Sequence, residues 1–136
     1  MSNRVRFIPN QQSGAHVLLI DLSDFAHPID SLPHIAAARE LVGDQPHKSV
    51  CCIVDISGSP YNVEVIDRLN ELAIHNRPFV VASAVVGVTG FKRLIMESVM
   101  RLAGRSNLKA VPTREAAFEW LATQIPPHQT ATSALT

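Results

Sequence analysis

The side chains best placed for chemistry follow apolar, strand-like runs. Asp21 closes Val17-Leu18-Leu19-Ile20 and leads into Leu22-Ser23-Asp24. Asp55 closes Val50-Cys51-Cys52-Ile53-Val54 and leads into Ile56-Ser57-Gly58-Ser59-Pro60. If the two strands are neighbours, the carboxyls can serve as an acid/base pair for a hydrolase or transferase. Ser57 and Ser59 are candidate phosphoacceptors, because charge added just before a helix gains from its dipole and can switch a partner surface. The plainer account gives the serines to turn chemistry and capping. On that account the aspartates terminate strands and accept hydrogen bonds from loop amides.

A second candidate is the turn Gly87-Val88-Thr89-Gly90, which follows the apolar run 79–86 and precedes Lys92 and Arg93. Backbone N–H groups at a helix start, with Lys92 nearby, can hold a phosphate, a carboxylate or a small anionic ligand. The turn lacks the G-x-G-x-x-G spacing and the Lys-Ser/Thr ending of nucleotide loops. Its plainer role is to let a strand turn sharply into a helix. On that helix Met96 and Met100 fall away from the side carrying Phe91, Ile95 and Leu102, and form a candidate surface for a protein partner or a dimer.

Other chemistries find little support. The six histidines are scattered, no helical pair has metal-ligand spacing, and no C-x-x-C occurs, so neither a metal nor a cofactor is expected. No G-x-S-x-G elbow is present. Twelve basic and twelve acidic residues cancel, which removes any global attraction to nucleic acid or anionic membranes. Lys92, Arg93, Arg101, Arg105 and Lys109 outnumber Glu97 locally, but basic residues late in a helix complement its dipole, and stacking aromatics are missing. No catalytic constellation stands out, so the chain is not expected to be an enzyme.

These residues need a frame. The 136 residues, 46% hydrophobic and 18% charged, suit one folded domain with a single core. No apolar run is long enough to span a bilayer, and the first residues lack the apolar core of a signal peptide. Adjacent Cys51 and Cys52 point to opposite faces of a strand and cannot bond each other, which fits a reducing cytoplasm. The pattern predicts strands at 4–8, 15–20, 49–56, 79–86 and 108–111. Helices are predicted at 30–42, 62–75, 89–104 and 114–124, with Asp30 or Ser31, Asn62, Thr89 and Thr113 as caps. The short first connection predicts an antiparallel opening pair, and the later alternation predicts parallel strands. The expected architecture is a single-domain α/β fold over 1–125, about five mostly parallel strands with about four covering helices, and a flexible tail at 126–136. Ligands of such sheets bind beyond the carboxyl ends of the strands.

The run Ala82-Ser83-Ala84-Val85-Val86-Gly87-Val88-Thr89-Gly90, with His75-Asn76-Arg77-Pro78 before it and Ala103-Gly104-Arg105 after it, resembles small stand-alone bacterial proteins of the STAS-like group. That group shares its fold with anti-sigma-factor antagonists and, more distantly, with CRAL-TRIO lipid-binding domains. The resemblance implies a non-catalytic regulatory or protein-interaction domain. The alternative is small-ligand or lipid binding at 87–90, through the free helix-end amides of that turn. In the antagonists a phosphorylatable serine follows a strand and opens a helix. Here Asp55-Ile56-Ser57-Gly58-Ser59-Pro60 holds that place, departing from the Asp-Ser-Ser-Gly-Leu-like pattern and adding Pro60.

Overall fold

A computed structural model of the chain describes residues 3–10, 16–88 and 107–124. Along them run strand β1 (Val5–Pro9), strand β2 (His16–Asp21), a 3-10 turn (Pro28–Ser31), helix α1 (Leu32–Gly43) and strand β3 (Val50–Asp55). Helix α2 (Val63–His75), strand β4 (Val80–Val86), strand β5 (Leu108–Val111) and helix α3 (Arg114–Gln124) follow. The helix expected at 89–104 and the tail at 126–136 lie outside the described residues.

The domain is α/β, with one five-stranded sheet whose spatial order repeats the chain order, β1-β2-β3-β4-β5. β1 runs antiparallel to β2, as the short connection between them requires. The pairs β2–β3, β3–β4 and β4–β5 are parallel. Strands β2, β3 and β4 are almost wholly apolar because helices cover both faces of the sheet. On one face Leu18, Ile20, Cys52 and Val85 meet Ile35, Ala38 and Val42 of α1 and Val65, Leu69 and Leu72 of α2. On the other, Val17, Leu19, Ile53, Ala82 and Ala84 meet Ala117 and Leu121 of α3. Right-handed crossovers that always advance in one direction must lie on one face, which places α1 and α2 together. α3 follows the last strand and crosses over nothing, so it is free to cover the opposite face.

Burying Leu18, Leu19, Ile20 or Ile53 stabilises the fold by about 1.5–3 kcal/mol each, and all four are fully buried. A slip of one residue in register would turn every one of them, and Asp21 and Asp55 with them, to the wrong face. Core packing therefore fixes where the two carboxylates point.

The helix starts at Asn62 and Thr113 follow expectation. Asn62 Oδ1 accepts the Val65 N–H at 2.9 Å, and Thr113 Oγ1 accepts the Ala116 N–H at 3.1 Å. At α1, Ser31 holds the N-cap position as expected, but the capping contacts differ. Asp30 accepts the His27 N–H at 3.1 Å and caps the 3-10 turn instead, while Ser31 makes no capping bond through its side chain. Pro28 fixes the backbone for that tight turn, which takes over the role expected of a simple cap. Cys51 and Cys52 are buried, unbridged and packed into opposite cores. Among the described residues no helix is long and apolar enough to cross a membrane.

Candidate functional site

Parallel pairing sets Asp21 beside Asp55 on the last rung of β2 and β3. Each aspartate ends a column of side chains on the α3 face, after Val17 and Leu19 in one strand and Cys51 and Ile53 in the other. In both strands the next residue, Leu22 or Ile56, returns to the α1/α2 core. The serine after it folds back. Ser23 donates its N–H (3.0 Å) and hydroxyl (2.5 Å) to Asp21 Oδ1. Ser57 donates its N–H (3.0 Å) and hydroxyl (2.6 Å) to Asp55 Oδ1. The sheet thus carries the same Asp-x-Ser clasp twice, side by side.

Arg114, the first residue of α3, bridges the two clasps. Its Nε donates to Asp55 Oδ2 at 2.6 Å, and its Nη2 lies 3.3 Å from Asp21 Oδ1. Arg4, just ahead of β1, adds a second cation. Its Nη1 donates to the Ser23 carbonyl at 2.7 Å and lies 3.6 Å from Asp21 Oδ1. The Arg4 guanidinium also sits 4.1 Å over the Phe25 ring, and Phe25 stacks on His34 at 5.2 Å.

Two cations face two anions, and the balance sets the protonation states. Burial pushes the Asp21 carboxyl up, but the Ser23 hydroxyl and amide and the Arg114 charge outweigh it, so Asp21 titrates below its ordinary value. Asp55 follows the same sequence of causes, with Ser57 in place of Ser23, and is also held low. Burial works against the Arg114 charge, yet Asp55 and Asp21 hold it protonated more firmly than usual. Both carboxylates are therefore ionised at neutral pH and share one guanidinium. An acid/base pair needs one carboxyl kept protonated, and this arrangement favours neither.

The rim beyond the strands is closely knit. Leu22 N–H donates to the Asp55 carbonyl (2.7 Å), Ile56 N–H to the Val86 carbonyl (2.9 Å), and Asp24 N–H to the Ser57 carbonyl (2.9 Å). Gly87 has φ +91°, and a Cβ there would fall 2.5–2.6 Å from Ser57 atoms, backbone nitrogen and Cα among them. The first glycine of the expected anion turn is thus required by contact with the loop after β3. Ser57 itself is half-buried. Ser59 is buried, donates to the Leu22 carbonyl (2.5 Å) and accepts the Phe25 N–H (3.0 Å), so its hydroxyl stitches two loops together. The parallel strands advance without reversal, so among the described residues no reversal of strand order opens a crevice at the rim.

The structure gathers Asp21, Asp55, Ser57 and Gly87 at one end of the sheet, with Ser59 beneath them. Thr89, Gly90, Lys92, Met96 and Met100 lie outside the described residues. Sequence reasoning missed Arg114 and Arg4. Arg114 left a signal: a cation in the first turn of a helix opposes the macrodipole, so it must be held by something stronger. Among the described residues no group of three His, Cys, Asp or Glu is placed to hold a metal. In comparisons with known proteins, no family model, no curated protein and no solved structure matches this chain.

Proposed function

We propose that this chain is a non-catalytic regulatory domain of the STAS-like type, docking a protein partner at the carboxyl-end rim of its sheet. The observation that carries the reading is the placement of two exposed apolar side chains. Ile29 is 62% exposed and Val63 is 74% exposed. Ile29 stands on the 3-10 turn before α1, which touches α2, and Val63 is the first residue of α2. Val63 thus directly follows the loop that carries Ser57 and Gly58, and the 3-10 turn packs on the same helix. Large apolar groups left in water beside half-buried polar ones suit a docking surface rather than a catalytic cleft. The locked carboxylates support the same reading, since Arg114 and the two serines take up their acceptor capacity. The antiparallel opening pair followed by helix-linked parallel strands agrees with what the STAS-like resemblance implies.

Ser57 lies between β3 and α2, where that resemblance puts a phosphoacceptor. A phosphate there would displace the hydroxyl from Asp55 and bring negative charge beside Val63, opposing an apolar partner. The test is a pull-down from native lysate with wild type, Ile29→Glu/Val63→Glu and Ser57→Asp. Loss of one specific partner from both variants is expected. Identical partners for all three forms would remove the proposed surface.

A further inference from the structure

The rim leaves α1 unused, and its outer surface has a pattern of its own. At about 100° per residue, positions 36, 39, 40 and 43 fall within an arc of about 100°. Ala36, Arg39, Glu40 and Gly43 are all exposed, while α1 buries Ile35, Ala38 and Val42. Two adjoining hollows of about 210 and 640 Å³ share Ala36 and Arg39. The first is floored by Leu32, Ile35 and Leu72, and the second reaches Glu40, Gly43 and His75. Together they make one furrow along the α1–α2 seam.

We infer that this furrow is a self-association surface, in which two copies of the chain pair through antiparallel α1 helices about a two-fold axis between Arg39 and Glu40. Such an axis sets Arg39 of each copy against Glu40 of the other, and Ala36 against Gly43. The axis makes every contact twice, so a cation and an anion on either side of it are complementary to themselves. That antisymmetry selects a second copy as the occupant, because an unrelated partner has no need of it. Neither the Arg39 nor the Glu40 side chain makes an ion pair or hydrogen bond with a described residue, unlike Arg68 and Glu71, which pair at 3.1 Å nearby. Gly43 points the same way. Its φ is not positive, and a Cβ there would meet the His75 ring at an ordinary 3.6 Å. Nothing among the described residues demands glycine at 43, whereas the close approach of a second helix does.

Mass measured by light scattering across a concentration series tests the pairing. Wild type is expected to reach twice the 14.8 kDa of one chain at high micromolar concentration, and to dissociate as salt screens the charges. Arg39→Glu sets like charges together and is expected to weaken association by about tenfold or more. The swap Arg39→Glu/Glu40→Arg restores opposite charges across the axis and is expected to restore the mass. Gly43→Ala keeps the fold, because its methyl has room within the chain, and is also expected to weaken pairing. Far-UV melting curves show whether each variant remains folded. The proposal is overturned if wild type stays a single chain throughout. It is also overturned if Arg39→Glu or Gly43→Ala associates like wild type, or if the charge swap fails to recover what Arg39→Glu lost.

Discussion

Replacing Arg114 with methionine keeps the aliphatic stem and removes the guanidinium that Asp21 and Asp55 share. Neighbouring strands lie about 4.8 Å apart, and each carboxylate is clasped by its own serine, so the anions cannot swing away from each other. Breaking a buried ion pair costs about 3–5 kcal/mol. Only Asp55 is deeply buried, at 7% side-chain exposure, whereas Arg114 is 37% exposed. Solvent screening at Arg114 lowers the expected loss to about 2 kcal/mol. For a domain of this size that lowers Tm by about 6–10 °C. The pH dependence separates this cause from lost packing. In wild type both folded-state carboxyls titrate below their ordinary value. Their contribution is therefore complete above the unfolded value, about 3.9, and disappears only as pH falls through the lower folded values. In the variant Arg4 still faces Asp21, whereas Asp55, buried beside a second carboxylate, loses its guanidinium, and burial and like charge raise its folded pKa above the unfolded value. The folded state then gains a proton first, and its stability rises as pH falls from 8 towards 5. Scanning calorimetry of both proteins over that range should show the Tm gap narrowing. A gap under about 1 °C at pH 7, well below the size scaling used here, would refute the reasoning, and so would a gap that stays constant with pH.

Two further outcomes follow from the same geometry. Gly87→Ala places a methyl against the Ser57 backbone at positive φ, so urea unfolding should show a loss of about 2–3 kcal/mol, more than positive φ alone would cost. A loss within a few tenths would mean that the two loops separate easily. Burial pushes the Cys51 thiol up to about 11, and both cysteines are buried. A thiol reagent at pH 8 should therefore titrate two groups only after unfolding; rapid reaction of the native protein would contradict the placement of β3.

The fold was largely legible because β2, β3 and β4 are uninterrupted apolar runs separated by helical periods, and Asn62 and Thr113 mark helix starts with side chains that can do nothing else there. The site was legible only in part. Asp21 and Asp55 stood out as polar ends of apolar strands, but the repeated Asp-x-Ser clasp depends on register, which sequence spacing does not reveal. Arg114 lies 59 residues from Asp55, so its role emerges only once α3 is laid across the sheet. Ser57 and Ser59 look alike in sequence, yet one faces partly outward and the other ties β2's exit to α2's approach. Gly87 was read as a helix-start amide donor, whereas the demand on it comes from a neighbouring loop. The α1 start was legible to the residue at Ser31, but not the 3-10 turn before it, because Asp30 satisfies a 3-10 turn as readily as an α-helix.

The sheet's strict chain-order progression also bears on how the molecule assembles. Every strand docks against the one made just before it, so each closure spans only the stretch between successive strands, and its entropic cost grows only logarithmically with that short length. Such near-neighbour topology favours rapid folding. The opening hairpin can form early, each later β-α segment can be laid on an edge already complete, and α3 arrives last. Its Arg114 then fastens the final layer to the ends of the earliest parallel pair.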